Sequence, residues 1–221
     1  LSAGQTLNAP AFENIDDSRF FLSGGASLSV NAGSYSALGR ASNQTLFSVS
    51  GEGTVLDLSS VRSLDDSWND FDGGRIQVHR IGVTDGASLD FSGLRTVTAP
   101  VRSEDRLDFI VDATSSLQLS SLEATVSSSG QIRFLDDASD VVFPSLRSAE
   151  NTTFVLLPEG ALDVPILASW DRGAIQVPAH GSFTLPALRN VTGVNVTIGA
   201  GGVLSAPHLV SFTNSRLELS A

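Results

Sequence analysis

The chain contains no cysteine, no methionine and no lysine. With no cysteine, its fold needs no disulfide. With no lysine, all 13 basic residues are arginine; against 24 acidic residues they leave a formal charge of −11. An acidic chain without a run of basic residues argues against nucleic acid and against anionic membrane surfaces as partners. No apolar run approaches the roughly 18 residues of a membrane-spanning helix. No helix-length stretch carries a 3.6-residue apolar period, while Ser, Thr, Val, Gly and Pro are abundant, which disfavours helix and suits strands and turns. Histidine is scarce: His79, His180 and His208 are too far apart to form a metal-spaced set. No initiator methionine or signal-like segment opens the chain, so it is expected to be a module of a longer protein.

What is abundant is repetition. Leu162-Asp-Val-Pro-Ile-Leu-Ala-Ser-Trp170, Phe183-Thr-Leu-Pro-Ala-Leu-Arg-Asn-Val191 and Leu204-Ser-Ala-Pro-His-Leu-Val-Ser-Phe212 superimpose at a 21-residue step. The template is Φ-x-Φ-P-x-L-x-x-Φ, with Φ apolar. Its first and third positions share one side of a strand. The proline, lacking an N–H, marks a corner. A second alternating pair precedes each template: Phe154-Val-Leu156, Ile175-Gln-Val177 and Val196-Thr-Ile198. A unit this short cannot bury its own apolar face, but stacked units can. The pattern predicts an all-β fold, a single parallel β-solenoid over residues 1–221. It is expected to wind right-handed, with nine to ten coils. A leucine-rich-repeat horseshoe has a similar period, but its signature carries an Asn or Cys after a tighter leucine series and often a helical segment per repeat, and no helix-length period is present here. The expected core includes Leu89, Leu117, Leu162, Val164, Leu167, Phe183, Leu185, Leu188 and Leu204.

First positions of the template fall at 7, 28, 56, 89, 117, 141, 162, 183 and 204. The late coils are minimal and the middle coils carry extra residues. Solenoid insertions leave at corners and gather on one face, often the binding face. The additions read as 65–74, 79–87 and 98–105. The terminal half-coil, 215–221, is expected to expose an edge that a further coil or cap would cover. Arg62, Arg95, Arg147 and Arg189 recur after the template leucine, and Asp57, Asp90 and Asp163 recur at its second position. They read as solvated surface charge, with pairing along the surface as the alternative.

Catalysis is not expected. Acidic pairs occur at Asp16-Asp17, Asp65-Asp66 and Asp136-Asp137, but adjacent strand residues point apart. An inverting glycosidase needs two carboxylates about 6.5–9.5 Å apart. The polygalacturonase type also uses an Arg-x-Lys element, which a chain without lysine cannot supply. Asp70-Phe-Asp72-Gly73 has a faint calcium-loop look without the later bidentate Glu; no metal or cofactor is expected. A regular Thr-x-Thr column, as ice binding would want, is also missing.

Trp170 occupies the last template position and reads as core. Trp68 lies in the acidic addition, off the repeat. Two accounts stand: it is a stacking platform for a sugar ring with polar neighbours bonding the hydroxyls, or it anchors its own loop to the solenoid wall. On the first account the ligand site comprises Trp68, Asp66, Asn69 and Asp70, with Arg75, His79 and Arg102 as further donors; Tyr35 is the next place to look.

Through Gly73-Gly-Arg-Ile-Gln-Val78 and Leu89-Asp-Phe-Ser-Gly-Leu-Arg-Thr-Val97, nearly the whole chain resembles bacterial right-handed β-helix modules attached to plant-polysaccharide-degrading enzymes. The resemblance implies a non-catalytic, monomeric carbohydrate-binding module, with a neutral polysaccharide, xylan above all, as ligand. It also implies catalytic or anchoring domains as covalent neighbours. A structural or adhesive cell-surface solenoid is the alternative function, and a polysaccharide lyase or hydrolase the third.

Overall fold

The computed structural model describes residues 4–9, 12–39, 43–70, 74–136, 141–156 and 163–220. These contain 21 strands and no helix. Every strand pairing is parallel, and the strands wind into a β-solenoid of about eight turns.

The repeat maps onto three stacked walls. In the first, strands Thr6–Ala9, Ser27–Val30, Val55–Asp57, Ser88–Asp90 and Ser116–Gln118 pair in that order. Leu7, Leu28, Leu56, Leu89 and Leu117 stand in register there, so the first template position is one column. Further on, Phe183 stands opposite Leu204 in the same way. Tyr35, Leu64, Val97, Thr125, Ala149, Trp170, Val191 and Phe212 form the column of the second wall. Phe20, Phe47, Ile81, Phe109, Phe134, Phe154, Ile175, Val196 and Leu217 form that of the third.

The corner between the first two walls explains the template. Leu188 N–H donates to Leu185 O, Leu167 N–H to Val164 O and Leu146 N–H to Phe143 O. Each is a β-turn, and its second residue is the template proline, whose fixed φ suits that position. Where the proline is replaced, Asp does related work: Asp57 Oδ1 accepts from Ser59 N–H at 3.0 Å and Asp90 Oδ1 from Ser92 N–H at 2.7 Å. These acids hold their own turns rather than the arginine column. Arg95 pairs with Glu123 of the next coil instead, at 3.1 Å between exposed side chains, a contact worth a few tenths of a kcal/mol.

Val164, Leu167, Phe183, Leu185, Leu188, Leu89, Leu117 and Trp170 are buried, and Leu204 packs half-buried against the same core. Leu162 lies outside the described residues. Aromatic rings reinforce the third-wall column. Phe134 stacks on Phe109 at 4.9 Å and on Phe154 at 5.6 Å between centroids, an offset-stacked spacing that adds to their burial. At the last coil the columns come to the surface: Phe212, Leu217 and Leu219 are exposed.

The additions leave mainly at one corner, between the second and third walls. There 37–43, 66–77, 99–105 and 127–130 connect the strands of successive coils. In the later coils the same corner shrinks to a single left-handed residue: Asn151 (φ 43°), Arg172 (φ 60°), Gly193 (φ 66°), then Asn214 (φ 49°). Strands Ser148–Leu156, Ser169–Val177 and Asn190–Ile198 therefore run through the bend unbroken. The segment 79–87 corrects the sequence-based expectation. It is no insertion, because strand Val78–Thr84 fills most of it and belongs to the third wall. Its alternation of inward His79, Ile81 and Val83 was obscured by a histidine in an apolar slot.

Candidate functional site

The residues expected to form a sugar site divide into an interior group and a surface group. Inside, Asp66, Trp68 and His79 pack together. The Asp66 carboxylate lies 2.6 Å from His79 Nδ1 and accepts from Trp68 Nε1 at 3.3 Å. The Trp68 ring packs against the imidazole in a tilted arrangement, 4.7 Å between centroids. Trp68 is only 1 % exposed, and Asp66 and His79 are wholly buried. No face of the ring is open to a sugar, so the platform account gives way to the anchoring one: Trp68 ties its own connection into the wall. Burial pushes Asp66 up to about 6, against the pull of His79. His79 Nε2 is buried without a hydrogen-bond partner among the described residues.

On the surface, Arg102 Nε lies 2.9 Å from Glu104 and 3.4 Å from Asp70. The bond from Arg102 holds Glu104 down at about 2. Glu104 also accepts from Gly74 N–H at 3.2 Å, and Asp105 from Gln77 N–H at 2.9 Å. Val101 N–H donates to Trp68 O. The connection 66–77 is thus pinned to 99–105 of the next coil at Trp68, Asp70, Gly74 and Gln77. Asn69 is half-buried, Arg75 is exposed, and Asp72 lies outside the described residues. Tyr35 is fully buried, its hydroxyl donating to Ser18 O at 2.8 Å.

The open site lies at the foot of this ridge, where the corner narrows. A groove of about 530 Å³ runs over the later coils, within the size range of ligand sites. One side comes from the connections, through Ser103 and Ser129. The floor is the bend itself: Asn151, Arg172, Gly173 and Gly193. The other side is the outward row of the third wall, where Thr153, Ala174 and Asn195 are register neighbours in consecutive coils. Gln131 completes it at the ridge end.

The bend is built to hold that shape. Asn151 Nδ2 donates to Ser129 O and, at 2.8 Å, to Gly130 O. Arg172 Nη1 and Nη2 donate to Ser128 O and Ser127 O at 3.1 and 3.0 Å. Both left-handed residues thereby fasten the connection 127–130 to the floor. Gly173 is obligatory: its φ is 113°, and a Cβ there would lie 2.0 Å from Thr152 O.

No family model, curated protein or solved structure matches this chain.

Chemically, the groove offers amides, hydroxyls and the Arg172 guanidinium between small residues, with no aromatic platform among its lining residues. The amides and hydroxyls donate and accept hydrogen bonds equally well. Successive rungs repeat at about 4.8 Å, so an extended polymer lying along the axis meets Thr153, Ala174 and Asn195 in turn. Sequence reasoning passed over these residues. The one available signal was the 21-residue step linking Asn151, Arg172, Gly193 and Asn214, which carries no apolar residue and so stood outside the template.

Proposed function

We propose that the chain is a non-catalytic carbohydrate-binding module that holds a neutral-backbone plant polysaccharide, xylan-type, in the polar groove of the narrow coils. The single observation carrying this is the groove's composition: Gln131, Asn151, Thr153 and Asn195 supply amides and a hydroxyl beside Gly173, Ala174 and Gly193, with Arg172 as the one charged lining residue. A glycan hydroxyl is both donor and acceptor, as are the amide and hydroxyl side chains, and the axial repeat suits a linear chain. In this reading the solenoid winds right-handed. It works as a monomer, secreted or on the cell surface, covalently joined to catalytic or anchoring domains.

A binding rather than catalytic role is supported by how the carboxylates are used. Asp16 and Asp17 accept from the backbone N–H groups of Ser36 and Gly39, at 2.8 and 2.9 Å. Asp66 is sealed with Trp68 and His79. None of these offers a free acid–base pair to a substrate.

The test is affinity electrophoresis in gels containing xylan, β-glucan or pectate, with reducing ends assayed in parallel. Retardation by xylan that survives EDTA, with no reducing ends released, is the expected result. Equal mobility in all gels would overturn the proposal and favour a structural or adhesive module.

A further inference from the structure

The sequence has no basic cluster, but the fold builds one. On the outward side of the third wall, Arg80 stands opposite Asp108, and Asp108 opposite Arg133, in three consecutive coils. Arg106 reaches the same carboxylate from two residues away, its Nε 3.5 Å from Asp108 Oδ2. Arg106 and Arg133 therefore share one carboxylate, and Arg80 stands in register beside it.

That carboxylate is already claimed. Arg133 donates to both of its oxygens, Nε to Oδ1 at 2.7 Å and Nη2 to Oδ2 at 2.6 Å. This is the bidentate fork that satisfies a carboxylate and a guanidinium together. Arg106 meets only an oxygen that Arg133 holds more closely. Arg80 makes no side-chain hydrogen bond or ion pair among the described residues. Both are half-buried and reach solvent. The patch thus keeps two positive charges in excess, on a chain whose net charge is −11. The opposite sign gathers on the first wall, whose outward positions carry Asp57 and Asp90.

The patch adjoins the groove without a gap. Arg106 is the register neighbour of Gln131, and Arg133 of Thr153; Gln131 and Thr153 both line the groove. A polymer lying along the groove toward the early coils runs onto Arg106 and then Arg80.

We propose that Arg80 and Arg106 form a subsite for a carboxylate carried on the glycan, making the preferred ligand a neutral backbone bearing uronate substituents. This rests on the carbohydrate-binding function proposed above. Arginine suits the role because its planar fork takes a carboxylate with two parallel bonds. A fully anionic polymer fits less well, because the later rungs offer amides and hydroxyls, and the −11 chain repels it at long range.

The experiment compares three soluble ligands by calorimetry: glucuronoxylan, the same polymer after carboxyl reduction, and neutral arabinoxylan. The native chain should bind glucuronoxylan about 10-fold more tightly than its reduced form in low salt, and the ratio should fall toward one in high salt as screening sets in. The double variant R80A/R106A should lose the ratio while binding the reduced polymer as before. R80Q/R106Q, which keeps bulk and hydrogen-bonding groups, should behave alike if the alanine pair perturbs folding. A ratio of one in the native chain, with the neutral polymers still bound, would overturn the subsite and leave the carbohydrate-binding proposal standing. A ratio that persists in both double variants would do the same. Binding to none of the three polymers would overturn both.

Discussion

Asp66 and His79 meet at 2.6 Å with both side chains wholly buried, directly beneath the widest connection of the solenoid. A buried carboxylate is costly unless it is paired and hydrogen-bonded. Here the imidazole and the Trp68 indole supply both bonds, and the three side chains lock the connection 66–77 onto the wall. The burial of Asp66 also makes stability depend on pH. Asp66 is raised from 3.8 to about 6 by burial, so the folded state holds its proton more tightly than the unfolded state does. Its contribution is fully present below pH 3.8 and is lost as pH rises through about 6. The unfolding free energy of the native chain minus that of Asp66→Asn should therefore fall by on the order of 3 kcal/mol between pH 4 and pH 7. Denaturant titrations across that window measure it; a difference that stays level or grows would contradict the assignment.

Trp68→Ala and Trp170→Ala should act alike. Both rings are buried, and Trp170 Nε1 donates to Thr152 O at 3.1 Å just as Trp68 donates to Asp66. Each truncation should cost about 3–5 kcal/mol in equilibrium denaturation. A Trp68→Ala protein as stable as the native chain would show that the ring is not the anchor of its connection.

Replacing Asn195 or Gln131 by alanine should separate binding from folding. Neither supports the core, so each should change stability by no more than about 0.5 kcal/mol. Each should weaken retardation in xylan gels several-fold, with the double variant weaker still. Native mobility of the double variant would move the ligand site out of the groove.

Gly173→Ala tests the bend. A methyl group 2.0 Å from Thr152 O at φ 113° must displace the strand pairing beside it, at a cost of roughly 1–3 kcal/mol or more. A thermal melt should show a clear drop in Tm. Gly33→Ala, where the added Cβ meets nothing within 4 Å and φ is ordinary, should leave Tm almost unchanged.

The sequence determined the solenoid because apolar periodicity and turn chemistry are local signals. Leu7, Leu28, Leu56, Leu89 and Leu117 stand in one column because each begins a template whose proline or Asp-Ser turn closes the same corner. The tertiary structure decided which side of the wall an off-template residue occupies and which distant residues become neighbours. Trp68 and His79, 11 positions apart in the sequence, face inward where Asp66 pairs with Trp68 Nε1 and His79 Nδ1, and no spacing rule encodes that pairing. Arg80, Arg106 and Arg133 are scattered along the chain and become one patch only because the coil lengths between them, set by the connections, bring their strands into register. The groove has the same origin. It exists where the corner passes from a connection to a single left-handed residue, a difference in chain length whose direction in space is settled by the packing of neighbouring coils.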